Sequence, residues 1–280
     1  MPLNSPRFRN ERGLIAVEAN HRALRRGSHG RHVHLIQMAL IDLGFAMPVS
    51  TLSKDYSPDG VFGAETENVV KAFQRSIPPP GLTPDGVVGQ STMRELDKKF
   101  SKLTHRVNLH FRSLSLSDVP FDRLLGSAAQ VYAQYGIEAR FASGQSLGLS
   151  QAEQNRFNVV GQNCNWQMDS GEFAELYKLG TPVPANDVAV FIVNSFQETN
   201  VLGCGGHATN RPACAVTHDC SRWDMAHEVC HVLLTSTFAP AHTVSPRNLM
   251  FATSSNGVEP LTLTEKQLAR IRSSPLCRTI

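Results

Sequence analysis

The 280-residue sequence predicts an α+β chain of two unlike domains. Three observations predict it. All 6 cysteines fall between Cys164 and Cys277, a Pro-Asp-Gly turn pattern occurs twice in the cysteine-free part, and the remainder runs strand, helix, strands and then one long helix. The length exceeds one typical domain and falls short of two large ones. Hydrophobic residues at 41% and charged residues at 18% exclude a disordered, collagenous or coiled-coil chain. A net charge of +3 is too small to demand a nucleic-acid or membrane partner. No run approaches the roughly 20 apolar residues of a membrane span, and Met1 to Asn20 lacks the apolar core of a signal peptide.

Residues 1–23 are polar and rich in arginine (Arg7, Arg9, Arg12, Arg22) with no sustained period, which reads as a flexible lead-in. A patterned domain follows over residues 24–100. Gly30 to Leu40 has the spacing of a short amphipathic helix stopped at Gly44. Pro58-Asp59-Gly60-Val61-Phe62-Gly63-Ala64-Glu65-Thr66 then recurs as Pro84-Asp85-Gly86-Val87-Val88-Gly89-Gln90-Ser91-Thr92. In each copy Pro-Asp-Gly sets a tight turn that needs positive φ at glycine, the next apolar residues enter a core, and the second glycine leads into a helix. Those helices are expected over Ala64–Gln74 and Gln90–Phe100, making a small three-helix domain.

The residues Asp59-Gly60-Val61-Phe62-Gly63, Thr66, Val70, Phe73-Gln74, Gly81-Leu82, Asp85-Gly86, Gly89, Thr92 and Leu96 carry a resemblance. Over Leu24 to Phe100 the chain resembles the small helical peptidoglycan-binding domain found at the ends of many cell-wall hydrolases. The resemblance implies peptidoglycan as a partner. Such units also serve as pro-domains of matrix metalloproteinases, so fold and use are argued separately.

Lys98 to Thr104 carries charge and little pattern, and places a boundary before a second domain at residues 105–280. His105 to Arg112 alternates as a half-buried strand, Phe121 to Tyr135 has helical spacing with Gly136 behind it, and Ile137 to Phe141 is a second strand. Asp187 to Asn194 is a β-branched apolar run suited to a buried strand. Gly203 to His207 reads as a loop, Ala213 to Thr217 as another strand, Arg222 to Thr235 as the long helix, and Leu261 to Ser273 as a last helix with a cap signature at Thr264 and Gln267.

The long helix contains His227-Glu228-Val229-Cys230-His231. Residues four apart on a helix are rotated by only about 40°, so both imidazoles can face one cation with Glu228 beside them. Zn²⁺ accepts neutral imidazole and, in a catalytic site, keeps one position for water, and Glu228 is then the general base. His242, beyond the turn at Pro240, is the expected third ligand. Glu259 or Glu265 are alternative carboxylate donors, and Mn, Co or Fe accept similar donors. This pattern followed by Asn248-Leu249-Met250 resembles the metzincins. The resemblance implies a twisted mixed sheet, an active-site helix, Met250 in a Met-turn beneath three histidine ligands, a closing C-terminal helix, and a metalloendopeptidase that hydrolyses peptide bonds with a Glu-activated water held on zinc. The sequence departs from the family in spacing: a third histidine is usual six residues after the second ligand, where Thr237 stands, whereas His242 lies eleven residues on. No tyrosine follows Tyr177, so His207, His218 and Arg247 are candidates for oxyanion or substrate contacts.

Six cysteines in one domain read as disulfides made in an oxidising compartment, with a cysteine-based structural zinc site as the rival. Cys230 points away from the two histidines and is expected to be tied to another cysteine behind the helix. The N-terminal domain has no thiol with which to silence a zinc. The leading expectation is a secreted, extracellular or periplasmic zinc peptidase acting on peptidoglycan stem peptides or a wall-associated protein. Its alternatives are a wall-binding protein with a structural metal, and an injected effector held in the cytoplasm until a dedicated machine delivers it.

Overall fold

The computed structural model describes residues 2–51, 58–114, 123–161, 164, 166, 168–253 and 261–280. The chain divides into two compact units, Met1–Thr104 with Ile280, and His105–Thr279.

In the first unit, helix α1 (Arg12–Glu18) precedes α2 (Arg31–Asp42), α3 (Ala64–Arg75) and α4 (Gln90–Phe100). The lead-in is therefore folded, which corrects the expectation for residues 1–23. Phe8, Leu14 and Val17 are fully buried. Asp97 accepts from the backbone N–H groups of Asn4 and Ser5, and Arg94 pairs with Glu18 at 2.9 Å. Arg7 pairs with buried Asp42 and stacks on the Phe100 ring. Arg7, in a segment that reads as a flexible lead-in, is thus an anchor whose partners lie far along the chain.

The duplicated turns are two copies of one hydrogen-bond network. Gln37 Nε2 donates to Asp59 Oδ1 at 2.8 Å and to the Val61 carbonyl at 3.1 Å, while its Oε1 accepts from Gly60 N–H at 2.9 Å. Gln74 does the same with Asp85 at 2.8 Å, Val87 at 3.0 Å and Gly86 at 2.9 Å. Thr66 and Thr92 close the two networks. Gly60 and Gly86 have φ of 69° and 77°, the left-handed conformation the turn requires.

The second unit is mixed α/β. Its strands and helices are β1 (His105–Ser113), α5 (Leu124–Ala133), β2 (Ile137–Ser146), α6 (Gln151–Phe157), β3 (Val159–Val160), α7 (Gly171–Leu176), β4 (Val188–Val193), β5 (Ser195–Phe196), β6 (Gly203–Cys204), β7 (Ala213–Thr217), α8 (Asp224–Leu234), α9 (Glu265–Ser273) and β8 (Arg278–Thr279). The main sheet has the order β2-β1-β4-β7-β6. Pairs β2–β1, β1–β4 and β4–β7 are parallel, β6 lies antiparallel on the edge, and β8 adds antiparallel to β1. The β6 edge falls inside the segment expected to be a loop. Phe121 and Asp122 lie outside the described residues, and helix α5 begins at Leu124.

Every residue of β4 is buried, as its unbroken apolar run predicts for a strand covered on both faces. Ala189, Phe191 and Val193 point into a cluster with Phe157, Phe173, Leu176 and Tyr177. Helices α5 and α8 pack on the sheet and against each other. There Tyr132 donates to the carbonyl of Ala226 at 2.9 Å. The last helix begins with the capping box expected at Thr264 and Gln267.

Candidate functional site

Helix α8 packs on β7 and carries His227 and His231 on one face, one turn apart. The chain leaves α8 at Thr235, turns, and returns with His242. The three imidazoles converge: His231 Nε2 lies 3.0 Å from the Nε2 of both His227 and His242, and His227 Nε2 lies 3.3 Å from that of His242. Nitrogens bound tetrahedrally to one ion at 2.0–2.1 Å stand about 3.3 Å apart, so the spacing is that of a shared ligand set. A carbonyl can only accept, so His227 must donate from Nδ1 to the Leu249 carbonyl at 2.7 Å. That fixes its neutral tautomer with the Nε2 lone pair in the cluster. Burial depresses the basicity of all three histidines, most for His231, which the neighbouring His227 and His242 help push down to about 2. Three neutral nitrogens aimed at one point, with no anion among them, fit a divalent cation. These residues form a cluster with that capacity among the described residues.

Glu228 is buried beside this cluster. Burial, and then the negative charge of Asp224, push its carboxyl up to about 8, while a hydrogen bond from the Gly205 N–H acts in the opposite direction. The backbone of β6 and its following glycines forms a cradle for it. A Cβ on Gly203 would stand 2.4 Å from Glu228 Oε1, and one on Gly205 would stand 2.5 Å from the Cβ of His231. Only glycine admits so close an approach of the edge strand to the helix. Buried Tyr177 holds this loop by donating to the Gly206 carbonyl at 3.1 Å.

A cleft of about 430 Å³ opens over these groups. Trp166, Leu202, Trp223, Asp224, Leu249 and Phe251 are among its walls. The Trp166 ring meets His231 edge-on, with centroids 5.3 Å apart. The Cys164–Cys204 disulfide ties this side of the cleft to β6. Cys214, Cys220, Cys230 and Cys277 are buried and outside any disulfide. Cys230 therefore has no cysteine partner, contrary to expectation. It lies behind α8 against Tyr132, and burial pushes its thiol up to about 12.

Met250 is fully buried in a tight segment after the third histidine, where its carbonyl accepts from Thr243 N–H at 2.8 Å. Asn248, to which sequence reasoning gave no role of its own, builds this segment. Its Oδ1 accepts from Met250 N–H at 2.9 Å, and it exchanges two hydrogen bonds with Gln267 of α9. Asp224 was also missed; it accepts from the backbone and hydroxyl of Ser221, both at 2.7 Å.

Three predicted contacts are not brought into the cleft. His207 bonds the neighbouring Ala208 carbonyl, and His218 and Arg247 are exposed. None of the three is among the cleft-lining residues. Glu265 is an exposed residue at the start of α9 and stands apart from the histidine cluster, and Glu259 lies outside the described residues.

The loop between His231 and His242 is held by α9. Arg270 donates from Nε to the Leu234 carbonyl at 3.0 Å and from Nη2 to the hydroxyls of Thr235 at 2.6 Å and Thr237 at 2.9 Å. Lys266 donates to the Ala239 carbonyl at 2.9 Å and sits over the Phe238 ring. Thr235 has φ 65° and ψ 169°, a conformation that costs a β-branched residue about 1–3 kcal/mol and persists only where surrounding contacts impose it.

Residues 29–96 match the model of the "Putative peptidoglycan binding domain" family. The chain is 36% identical over 84 residues to the Type VI secretion system spike protein VgrG3 of Vibrio cholerae serotype O1, a match that covers 27% of this chain and 8% of that protein. It is 34% identical over 73 residues to a Probable N-acetylmuramoyl-L-alanine amidase of Bacillus licheniformis, covering 26% of this chain and 18% of the relative. The chain thus spans less than a fifth of either relative. No helix among the described residues is long and apolar enough to cross a membrane.

Proposed function

We propose that the second unit is a zinc-dependent metalloendopeptidase of metzincin-like type, and that the peptidoglycan-binding domain brings it to the bacterial cell wall. One observation carries the reading: three histidine Nε2 atoms within 3.0–3.3 Å of one another beside a buried glutamate. His227, His231 and His242 would hold the metal. A zinc ion there supplies a Lewis acid that polarises a peptide carbonyl and acidifies water. Glu228, held by the Gly205 N–H at the cleft, would take the proton of the attacking water and return it to the leaving amine. Leu249 fixes the tautomer of His227, and the buried Met250 next to it would be the Met-turn methionine of such a site. The antiparallel edge β6, the closing helix α9 and the buried turn at Met250 agree with that type of fold.

The substrate is a peptide of the wall, either a peptidoglycan stem peptide or a protein displayed there. The domain match over residues 29–96 supports this address. The similarity of part of the chain to a secretion-system spike protein favours delivery by such a machine as the route out of the cell. The test is Glu228→Gln, assayed on casein and purified sacculi alongside metal content. The expected result is full metal loading and a loss of roughly 10²–10⁴-fold in turnover. Unchanged hydrolysis in this variant overturns the mechanism.

A further inference from the structure

The spacing between the second and third histidines raises a physical question. His242 is the most exposed of the three and sits on a segment with no regular structure of its own, eleven residues beyond His231. A histidine on such a tether reaches a cation only as often as the tether adopts one shape, so something must impose that shape.

The contacts on α9 supply the constraint. The Arg270 guanidinium bonds the last carbonyl of α8 at Leu234 and two hydroxyls of the departing chain, Thr235 and Thr237. One planar group thereby fixes the angle at which the chain leaves the helix that bears His227 and His231. Thr235 stands there in a backbone conformation that a threonine rarely adopts. One turn earlier on α9, Lys266 bonds the Ala239 carbonyl just before Pro240 and packs over Phe238. The first turn of α9 is in turn joined to Asn248, because Gln267 bonds the Asn248 amide. The same short helix therefore grips the chain on both sides of His242. Arginine suits this position because its fork reaches a carbonyl and hydroxyls together, which the single ammonium of lysine cannot reproduce.

We propose that Arg270 is a positioning residue for the metal centre: it acts through His242, by holding the exit from α8 in the one shape that carries the third imidazole to the other two. The inference rests on the metal-centre reading above.

The test measures cobalt(II) affinity of the full chain, read by visible absorption and by competition with a chelator. It uses Arg270→Gln, His242→Ala and the double variant. Arg270→Gln is expected to weaken Co²⁺ binding by about 10–100-fold, the range found when a group supporting a ligand is removed. In the His242→Ala background the same change is expected to have no further effect. Arg270→Lys should recover only part of the loss. A Co²⁺ affinity unchanged by Arg270→Gln overturns the proposal, and so does an equal loss with and without His242, since that pattern marks general damage to the end of α8. Should Arg270→Gln fail to fold, Thr237→Ala removes one exposed acceptor of the guanidinium, and a several-fold loss that disappears with His242→Ala carries the same meaning. If His242→Ala leaves Co²⁺ affinity unchanged, the metal-centre reading itself fails. If that variant weakens binding while Arg270→Gln does not, only the role of Arg270 is lost.

Discussion

His227 donates from Nδ1 to the carbonyl oxygen of Leu249 at 2.7 Å, which joins the first histidine of α8 to the residue preceding Met250. This bond orients an imidazole through backbone, and the backbone is oriented by Asn248, whose Oδ1 takes the Met250 N–H at 2.9 Å. Asn248→Ala leaves that N–H and part of the Gln267 amide unpaired in a buried place. The expected cost is about 1–3 kcal/mol in stability. A weaker Co²⁺ affinity should accompany it, because the Leu249 carbonyl loses its support. Chemical denaturation and metal titration check both parts. Asn248→Asp keeps the acceptor for Met250 but removes the donor to Gln267, so it should fall between the wild type and Asn248→Ala in metal affinity.

The two glycines of the cradle should separate chemistry from architecture. The nearest atoms a methyl at position 203 meets belong to the side chain of Glu228, with Oε1 at 2.4 Å, whereas a methyl at position 205 meets first the Cβ of His231 at 2.5 Å and the backbone oxygen of Glu228 at 2.9 Å, and then Glu228 Oε2 at 3.0 Å. Gly203→Ala is expected to displace the carboxylate, lowering peptide hydrolysis with near-normal Co²⁺ binding. Gly205→Ala must push the edge strand from the helix and is expected to cost about 1–3 kcal/mol, the usual range for overpacking, and to weaken metal binding as well. Equal effects of the two changes on metal affinity would count against the distinct roles.

How much of this was legible in the sequence follows from the range of the forces involved. Helices α2, α3 and α4 of the first unit, strand β7 over Ala213–Thr217, α8 and the cap of α9 are local patterns, and periodicity or turn chemistry places them within a few residues. The histidine pair was readable for the same reason, since helical pitch alone sets it. What was not legible depends on partners distant in sequence. Phe8 and Leu14 become core only because α4 lies beneath them. The pairing of Cys164 with Cys204 is one of the 15 pairs that six cysteines allow, and nothing local selects it. Nothing local singles out Arg270 among the cations of α9, because its contacts to Leu234, Thr235 and Thr237 span more than 30 residues of chain. The glycines at 203 and 205 read as part of a loop, although close approach to Glu228 is what demands them.

The duplicated networks of the first unit predict paired behaviour. Gln37 and Gln74 are buried and each satisfies the same set of groups around a Pro-Asp-Gly turn. Gln37→Ala and Gln74→Ala each strand a glycine N–H and break the link between turn and helix. Each is expected to destabilise the unit by about 1–3 kcal/mol. Thermal unfolding followed by circular dichroism, with co-sedimentation on purified sacculi below the transition, measures the effect. Similar losses from the two variants are expected, and a loss confined to one copy would show that the networks are not equivalent in energy.

The pH dependence of the second unit should carry a contribution from His110, which lies on β1 away from the histidine cluster. Its Nδ1 meets Ser143 at 2.8 Å and its Nε2 meets Asp187 at 3.0 Å. Arg112 and Arg278 are the cations that face it, and Arg278 also pairs with Asp187. Burial lowers the His110 basicity more than the Asp187 carboxylate raises it, so the net direction is downward. The folded state therefore binds this proton less readily than the unfolded chain, whose histidine titrates near 6.5. Between that value and the lower folded one the unfolded state holds more protons, and stability falls as the pH falls. Above about 6.5 neither state is protonated at this site and the contribution is flat. Urea denaturation from pH 7.5 down to pH 5 should show a slope that shrinks in His110→Gln, which keeps a donor and an acceptor but cannot titrate. His105, His227, His231 and His242 of the same unit are shifted the same way by burial, while the raised Glu228 carboxyl acts in the opposite direction, so His110→Gln should remove one part of the pH dependence and leave the rest. An undiminished slope in His110→Gln would mean that Asp187 offsets the burial fully and that His110 titrates alike in both states.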